Sequence, residues 1–360
     1  MPTLSNAFIK GLNKALGSTL LALLVGAANL SAQNAYVVGS DDGYRVFSFS
    51  RNPSTGELAP VGTPAPTQER PIQVLVHPWN SIAYVSNQDS NSITTYRISG
   101  VDGSLTYTGN ATQVPAQLLR FTLDPVGRFL YTISQGSDED SLSTYVLDDQ
   151  GEPRLAGTAT FNFSRDLVIE PSGRFAFLTT GRLEGLQIYS IDPKTGLLTQ
   201  IGAVEIFDSP WRLIVDPSGR FLYVDMFNRI LAFRINKDSG ALTLIGENNV
   251  PGNGFNEILA IDPYGRFLYR LQENRDSVIS IFQIDPKQGT LSDAGQFTSR
   301  DINLRGMAID AEGTFLHVAG DGIDYFPGGV ITLQIDPKTG MLAETSRTRG
   351  IYVPRGIALR

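Results

Sequence analysis

The sequence predicts an all-β fold, a seven-bladed β-propeller of four-stranded antiparallel blades, and three observations predict it. One phrase recurs, as "DPVGRFLYT" (124 to 132), "DPSGRFLYV" (216 to 224) and "DPYGRFLYR" (262 to 270). Aligned on its Asp, the equivalent positions are His77, Asp124, Glu170, Asp216, Asp262, Asp310 and Arg360, spaced by 47, 46, 46, 46, 48 and 50 residues. A fixed period in this range points to a solenoid, propeller or array. No segment after residue 32 carries apolar residues at helical spacing over three turns, which leaves strands as the repeating element.

Within a period the elements follow in order. Residues 212 to 215, "RLIV", read as strand A and 220 to 224, "RFLYV", as strand B, joined by the Asp-Pro-Ser-Gly turn. Strand C is "RILAFRI" (229 to 235) and strand D is "ALTLIG" (241 to 246). The C-to-D turn is a second recurring phrase, seen as "SIDPKTGLLT" (190 to 199), "QIDPKQGTLS" (283 to 292) and "QIDPKTGMLA" (334 to 343). Pro presets its own φ and Gly accepts φ > 0, so both phrases are turns by chemistry. Strands A and B are short apolar runs, as expected for strands covered on both faces by neighbouring blades.

Counting closes the ring. The stretch "AYVVGS" (35 to 40) matches strand B with no A before it, and "RGIALR" (355 to 360) matches strand A with no B after it. Together they complete a seventh blade, with the C-terminal strand A beside the N-terminal strands B to D.

Residues 1–32 read as an export signal, with Lys10 and Lys14 ahead of an apolar stretch from Leu20 to Ala28 and the small pair Ser31 and Ala32. That stretch is too short to span a bilayer, which takes about 20 apolar residues. The expected organisation is a signal peptide over 1–32 and one propeller domain over 33–360, exported to the periplasm or the extracellular space, with no integral membrane segment in the mature chain. There is no cysteine, which excludes disulfides, thiolate metal sites and a cysteine nucleophile. Without Lys10 and Lys14 the chain has 27 basic and 36 acidic residues, a net charge of −9. Nucleic acid is therefore not expected as a partner, since it requires clustered positive charge.

With these phrases the sequence resembles the lactonase family of seven-bladed propellers, which includes a bacterial 6-phosphogluconolactonase type and fungal cis,cis-muconate lactonizing enzymes. The resemblance covers essentially the whole mature chain. It implies a ligand site where D-to-A and B-to-C loops gather around one mouth of the channel. The family pattern has a His near the start of the third strand A, "GPRH" ahead of the fourth, "NE" after the fourth strand B and an Arg after the fifth. The corresponding stretches here are "FSRDLVIEP" (163 to 171), "DSPWRLIVDP" (208 to 217), "YVDMFN" (223 to 228) and "YRLQENRD" (269 to 276). Arg165 falls near the first His, Arg212 takes the "GPRH" His position and Phe227 falls near the Glu. The last Arg aligns with Glu273, with Arg270 and Arg275 close by. The usual pocket His and Glu are not retained.

The residues themselves direct attention to the D-to-A loops. Arg70, Arg165, Arg212, Arg305 and Arg355 each precede strand A by a short distance. Facing the channel, they would form a fork-donor cluster suited to carboxylate or phosphate. The alternative is pairing with B-to-C loop acids, Asp89, Asp140, Asp225, Asp276 and Asp324. Trp211, Phe255 and Asn256, Tyr325 and Phe326 would add an aromatic and polar wall, and Glu257, an acid at the start of a strand A, is the weak choice for a general base beside Arg212 and Arg165. By contrast, the recurring Asp and Arg of "DPxGR" read as hairpin residues, and His77 and His317 fall at repeat positions away from the mouth. The acidic loops "SDED" (137 to 140) and "GDGID" (320 to 324) do not complete a calcium-loop spacing. No metal and no cofactor is assigned. Two function classes stay open, a monomeric module binding a small anionic or carbohydrate ligand, or a protein, at the mouth, and a sugar-lactone hydrolase.

Overall fold

The computed structural model describes residues 34–39, 43–161, 163–180, 185–206, 208, 210–250, 258–272, 277–299, 302–322 and 328–360. Among these, every regular element is a β-strand, arranged as seven antiparallel sheets. Six are four-stranded meanders in chain order. The other takes its strand A, Gly356–Leu359, from the C-terminus and its strands B to D from Asn34–Gly39, Arg45–Arg51 and Leu58–Pro60. Tyr36 pairs with Ala358 and Val37 with Ile357 across that junction. Blades are numbered from this closing sheet, blade 1, to blade 7, whose strands lie between Ile302 and Arg349. Consecutive A strands touch around the whole ring.

Strand B behaves as its sequence suggests, with every residue of Phe221–Met226 buried. Strand A does not. In Pro210–Val215 only Pro210 and Leu213 are buried, because the innermost strand has a sheet on each flank but an open channel at its edge. The two-sided burial expected of strand A is corrected on this point.

The two recurring phrases meet each other. Phe221 and Tyr223 of blade 5 reach the C-to-D turn of blade 6, where the Tyr223 hydroxyl donates to the Gly289 carbonyl at 3.0 Å. The same bond joins Tyr36 to Gly103, Tyr84 to Gly151, Tyr131 to Gly196 and Tyr269 to Gly340. Gly289 has φ +78, and a Cβ there would lie 2.2 Å from the Phe221 ring, so glycine is required both for the turn and for the close approach. Each docked aromatic buries roughly 150–250 Å². In blade 4 Phe177 takes the Tyr position without a hydroxyl. In blade 7 His317 takes it, and Thr332 completes the reach: its Oγ1 lies 3.2 Å from His317 Nδ1 and donates to the Gly56 carbonyl at 3.5 Å.

The "DPxGR" residues are hairpin residues, as read. Asp216 Oδ1 accepts the backbone N–H groups of Arg220 and Phe221, each at 2.7 Å. Arg220 lies over the Phe221 ring and donates to the Pro286 carbonyl of the next blade at 2.8 Å. His77 does the same work as Asp, with Nδ1 accepting from Trp79 and Asn80 N–H and Nε2 against the Gly127 carbonyl at 2.8 Å.

Two outcomes follow. Gly289→Ala should lower stability by about 2–4 kcal/mol through overpacking and left-handed strain, whereas Tyr223→Phe should cost about 1 kcal/mol, the worth of one hydrogen bond; urea denaturation distinguishes them. Burial, reinforced by Arg51, pushes the His317 imidazole down to about 3 from an ordinary 6.5. Between those values the unfolded chain takes up a proton that the folded chain refuses, so stability falls as pH drops below 6.5. His317→Phe, the blade 4 solution, should flatten that acid limb in denaturation measured from pH 7 to pH 4.

Candidate anion-binding channel

At one end of the channel the A strands surround a cavity of about 440 Å³. Six guanidinium groups line it, those of Arg70, Arg120, Arg165, Arg212, Arg305 and Arg355. The other described polar side chains on its wall are Gln73 and Gln88, and no carboxylate or imidazole is among the described lining residues. Apolar wall comes from Ile72, Leu119, Trp211, Ile258, Met307 and Ile357.

The backbone explains how the cluster is presented. Four A strands break register against strand B just above the channel, so that Ile72, Leu119, Trp211 and Arg305 are each skipped in the pairing. All four line the cavity. Such bulges bend a strand and re-aim its side chains, and they recur beside functional sites. Below the bulges sits a layer four residues ahead of each turn residue: Gln73, Arg120, Asp166, Arg212, Ile258, Gly306 and Gly356. Blades 3 to 5 put charge into that layer, and blades 7 and 1 put glycine there, where a Cβ would meet the backbone of the neighbouring A strand, the Arg355 carbonyl at 2.7 Å from Gly306 and the Ile72 carbonyl at 2.8 Å from Gly356.

Like charge dominates the electrostatics. Burial pushes the Arg120 guanidinium down to about 9, nearby Arg212 adds to the shift and Asp166 opposes it. Arg355 is also lowered, first by burial and then by Arg305 and Arg70, with Asp321 and Asp89 pulling the other way. An anion in the cavity would relieve both desolvation and repulsion. The surrounding acids offset only part of the charge. Asp89 meets Arg70 at 3.4 Å with both side chains near half exposure, and Asp321 meets Arg305 at 2.8 Å. Asp166 Oδ2 accepts the Leu213 N–H at 2.9 Å. The Arg165 guanidinium stacks over the Trp211 ring at 4.9 Å.

All five arginines read from the D-to-A loops, with Trp211, are thus gathered around one cavity. Phe227 is not on its wall; it is 44% exposed in the B-to-C loop of blade 5. Asn256, Glu257 and Tyr325, with Phe255, Phe326, Glu273 and Arg275, lie outside the described residues. Of the acids weighed as partners, Asp89 does pair with Arg70. Asp140 instead accepts the Ser164 N–H at 2.7 Å. Asp225 holds Arg270 at 2.7 Å, an ion pair with no exposure on either side, and Asp276 and Asp324 lie outside the described residues. His77 and His317 stand away from the cavity. Arg120, which the D-to-A loop pattern does not include, joins those arginines from within Gln117–Leu123, at the same offset from the turn Asp as Arg212 within Pro210–Val215. Its signal was available: it precedes Asp124 by four residues, as Arg212 precedes Asp216.

The chain matches the family model for lactonase, 7-bladed beta-propeller, in overlapping segments running from residues 25–121 to residues 256–359. It is 27% identical over 308 residues to a 6-phosphogluconolactonase of Photorhabdus laumondii, covering 81% of this chain and 88% of that one. A 6-phosphogluconolactonase of Pectobacterium carotovorum is 26% identical over 300 residues, covering 78% and 85%. Among solved structures, the periplasmic gluconolactonase of Pseudomonas aeruginosa superimposes with a TM-score of 0.76 at 18% identity, over 91% of this chain and 98% of that one, a likeness of fold. Blade count, ring closure and a match across nearly the whole chain agree, and the chain belongs to the lactonase family of seven-bladed β-propellers.

Proposed function

We propose that this protein is exported and that its channel binds a small anionic sugar derivative, a sugar acid or the corresponding lactone, through the guanidinium cluster. The observation that carries the reading is the enclosure of six arginines around one cavity of about 440 Å³ with no carboxylate among its described lining residues. Arg presents planar paired donors that match a carboxylate bidentately. The bulged Trp211, held by Arg165, offers a flat face for a sugar ring.

A second reading, hydrolysis of the lactone, is supported by family membership and by the names of the relatives. In that reaction water adds to the lactone carbonyl, the carbonyl oxygen becomes an oxyanion, and the ring C–O bond breaks to give the hydroxy acid. The described residues are suited to one part of this chemistry: a guanidinium aimed at the oxyanion, a contribution of about 2.7–4 kcal/mol for one such donor elsewhere. The proton from water would pass to Glu257, one residue ahead of the lining Ile258, and from there to the leaving alkoxide.

Calorimetric titration with gluconate and galacturonate tests the first reading. Wild type should bind at least one of them, and Arg212→Ala should weaken that binding by tenfold or more; absence of any saturable heat would overturn it. In a pH-stat, glucono-δ-lactone turnover above the uncatalysed rate that is lost in Glu257→Gln would support hydrolysis, and an uncatalysed rate would exclude it for that substrate.

A further inference from the structure

A second cavity of about 270 Å³ adjoins the channel, lined by Tyr44, Arg70, Pro71, Asp89, Val353 and Arg355. Arg70 and Arg355 line both spaces, so two guanidinium groups stand at the junction between them. The chemistry on the two sides differs. The described polar wall of the channel is guanidinium and amide, whereas the adjoining space adds the Asp89 carboxylate, the phenol of Tyr44 and the apolar surfaces of Pro71 and Val353. Asp89 is engaged by Arg70 at 3.4 Å and remains 42% exposed, which leaves acceptor capacity toward the cavity.

A carboxylate and a guanidinium beside an aromatic face and two apolar side chains suit a neutral, hydroxyl-rich ring. Hydroxyls donate to Asp89 and accept from Arg70, while the C–H face of the ring packs on Tyr44 and Val353. The backbone singles out the same wall. Arg70 and Val353 hold φ of 52° and 45°, two of the four described non-glycine residues in the left-handed region. For a β-branched residue this is an outlier, and conformations of that kind cluster at ligand sites. The Arg70 carbonyl is fixed there by the Gln88 N–H at 2.9 Å.

We propose that the second cavity is a sugar subsite and that the ligand is an acidic disaccharide of the aldobionic type. Its acid unit lies among the channel guanidinium groups and its neutral sugar lies against Tyr44, with Arg70 and Arg355 spanning the linkage. This inference rests on the anion-binding reading of the channel. It adds length and a neutral unit to the ligand.

The test compares gluconate with maltobionate and cellobionate, the α- and β-linked glucosyl gluconates, by calorimetry on the full-length mature chain. Wild type should bind one of the disaccharide acids at least tenfold more tightly than gluconate. Tyr44→Ala should erase that advantage while gluconate affinity stays within twofold, which also certifies the fold of the variant; Asp89→Asn should reduce the advantage in the same way. Arg212→Ala should weaken all three acids together. If gluconate binds and neither disaccharide acid binds more tightly, the subsite is overturned and the channel reading stands. An advantage that survives both Tyr44→Ala and Asp89→Asn likewise overturns the assignment to this cavity. If none of the three acids binds, the channel reading fails and the subsite fails with it.

Discussion

The structure depends on one contact made between neighbouring blades: a pair of strand B side chains, Phe-x-Tyr in blades 3, 5 and 6 and variants of it in the others, set against the glycine turn between strands C and D of the next blade. The ring sits where a Cβ would be, and the phenol reaches the glycine carbonyl. The contact is directional, from each blade to the following one, and its seven versions run head to tail around the ring. It also explains why two phrases recur in the sequence at a fixed offset from each other. One is the plug and the other is the socket. Where the plug changes, the socket contact is kept by other means, as the His317 and Thr332 relay to Gly56 shows.

Because this packing is carried by strands B to D, the A strands are released from it. They still pair along one edge, but their inner side chains face the channel, and the sequence there is free to vary. That freedom is where the arginines are. Four bulges turn residues toward the cavity, and glycines at Gly306 and Gly356 let neighbouring A strands approach closely beside it. Grouping partly buried guanidinium charges opposes folding, as the downward shift of the Arg120 and Arg355 guanidinium groups reflects. A domain with a large inter-blade core tolerates that cost, and an anion would recover it.

The architecture was legible because its cause is repetitive. Turn chemistry, apolar runs and the incomplete first and last periods each point to the same seven blades. The arginine gathering was legible for a related reason, since a residue just before strand A must lie at the end of the innermost strand. What sequence spacing did not reveal was the set of bulges, which depend on the register between strand A and strand B. The loop pattern does not include Arg120, whose signal is its offset from the turn Asp. The second cavity was also invisible, since Tyr44, Asp89 and Val353 come from three separate loops.

Thermal melting of wild type and Arg120→Met, each with and without millimolar citrate at matched ionic strength, probes the charge cluster most directly. Without citrate the variant should melt above wild type, since it loses a buried like charge beside Arg212 while keeping similar volume. Citrate should raise the melting temperature of wild type by several degrees and that of the variant by clearly less. A variant that melts below wild type, or that keeps the full citrate response, would contradict a cluster of like charges gathered for an anion.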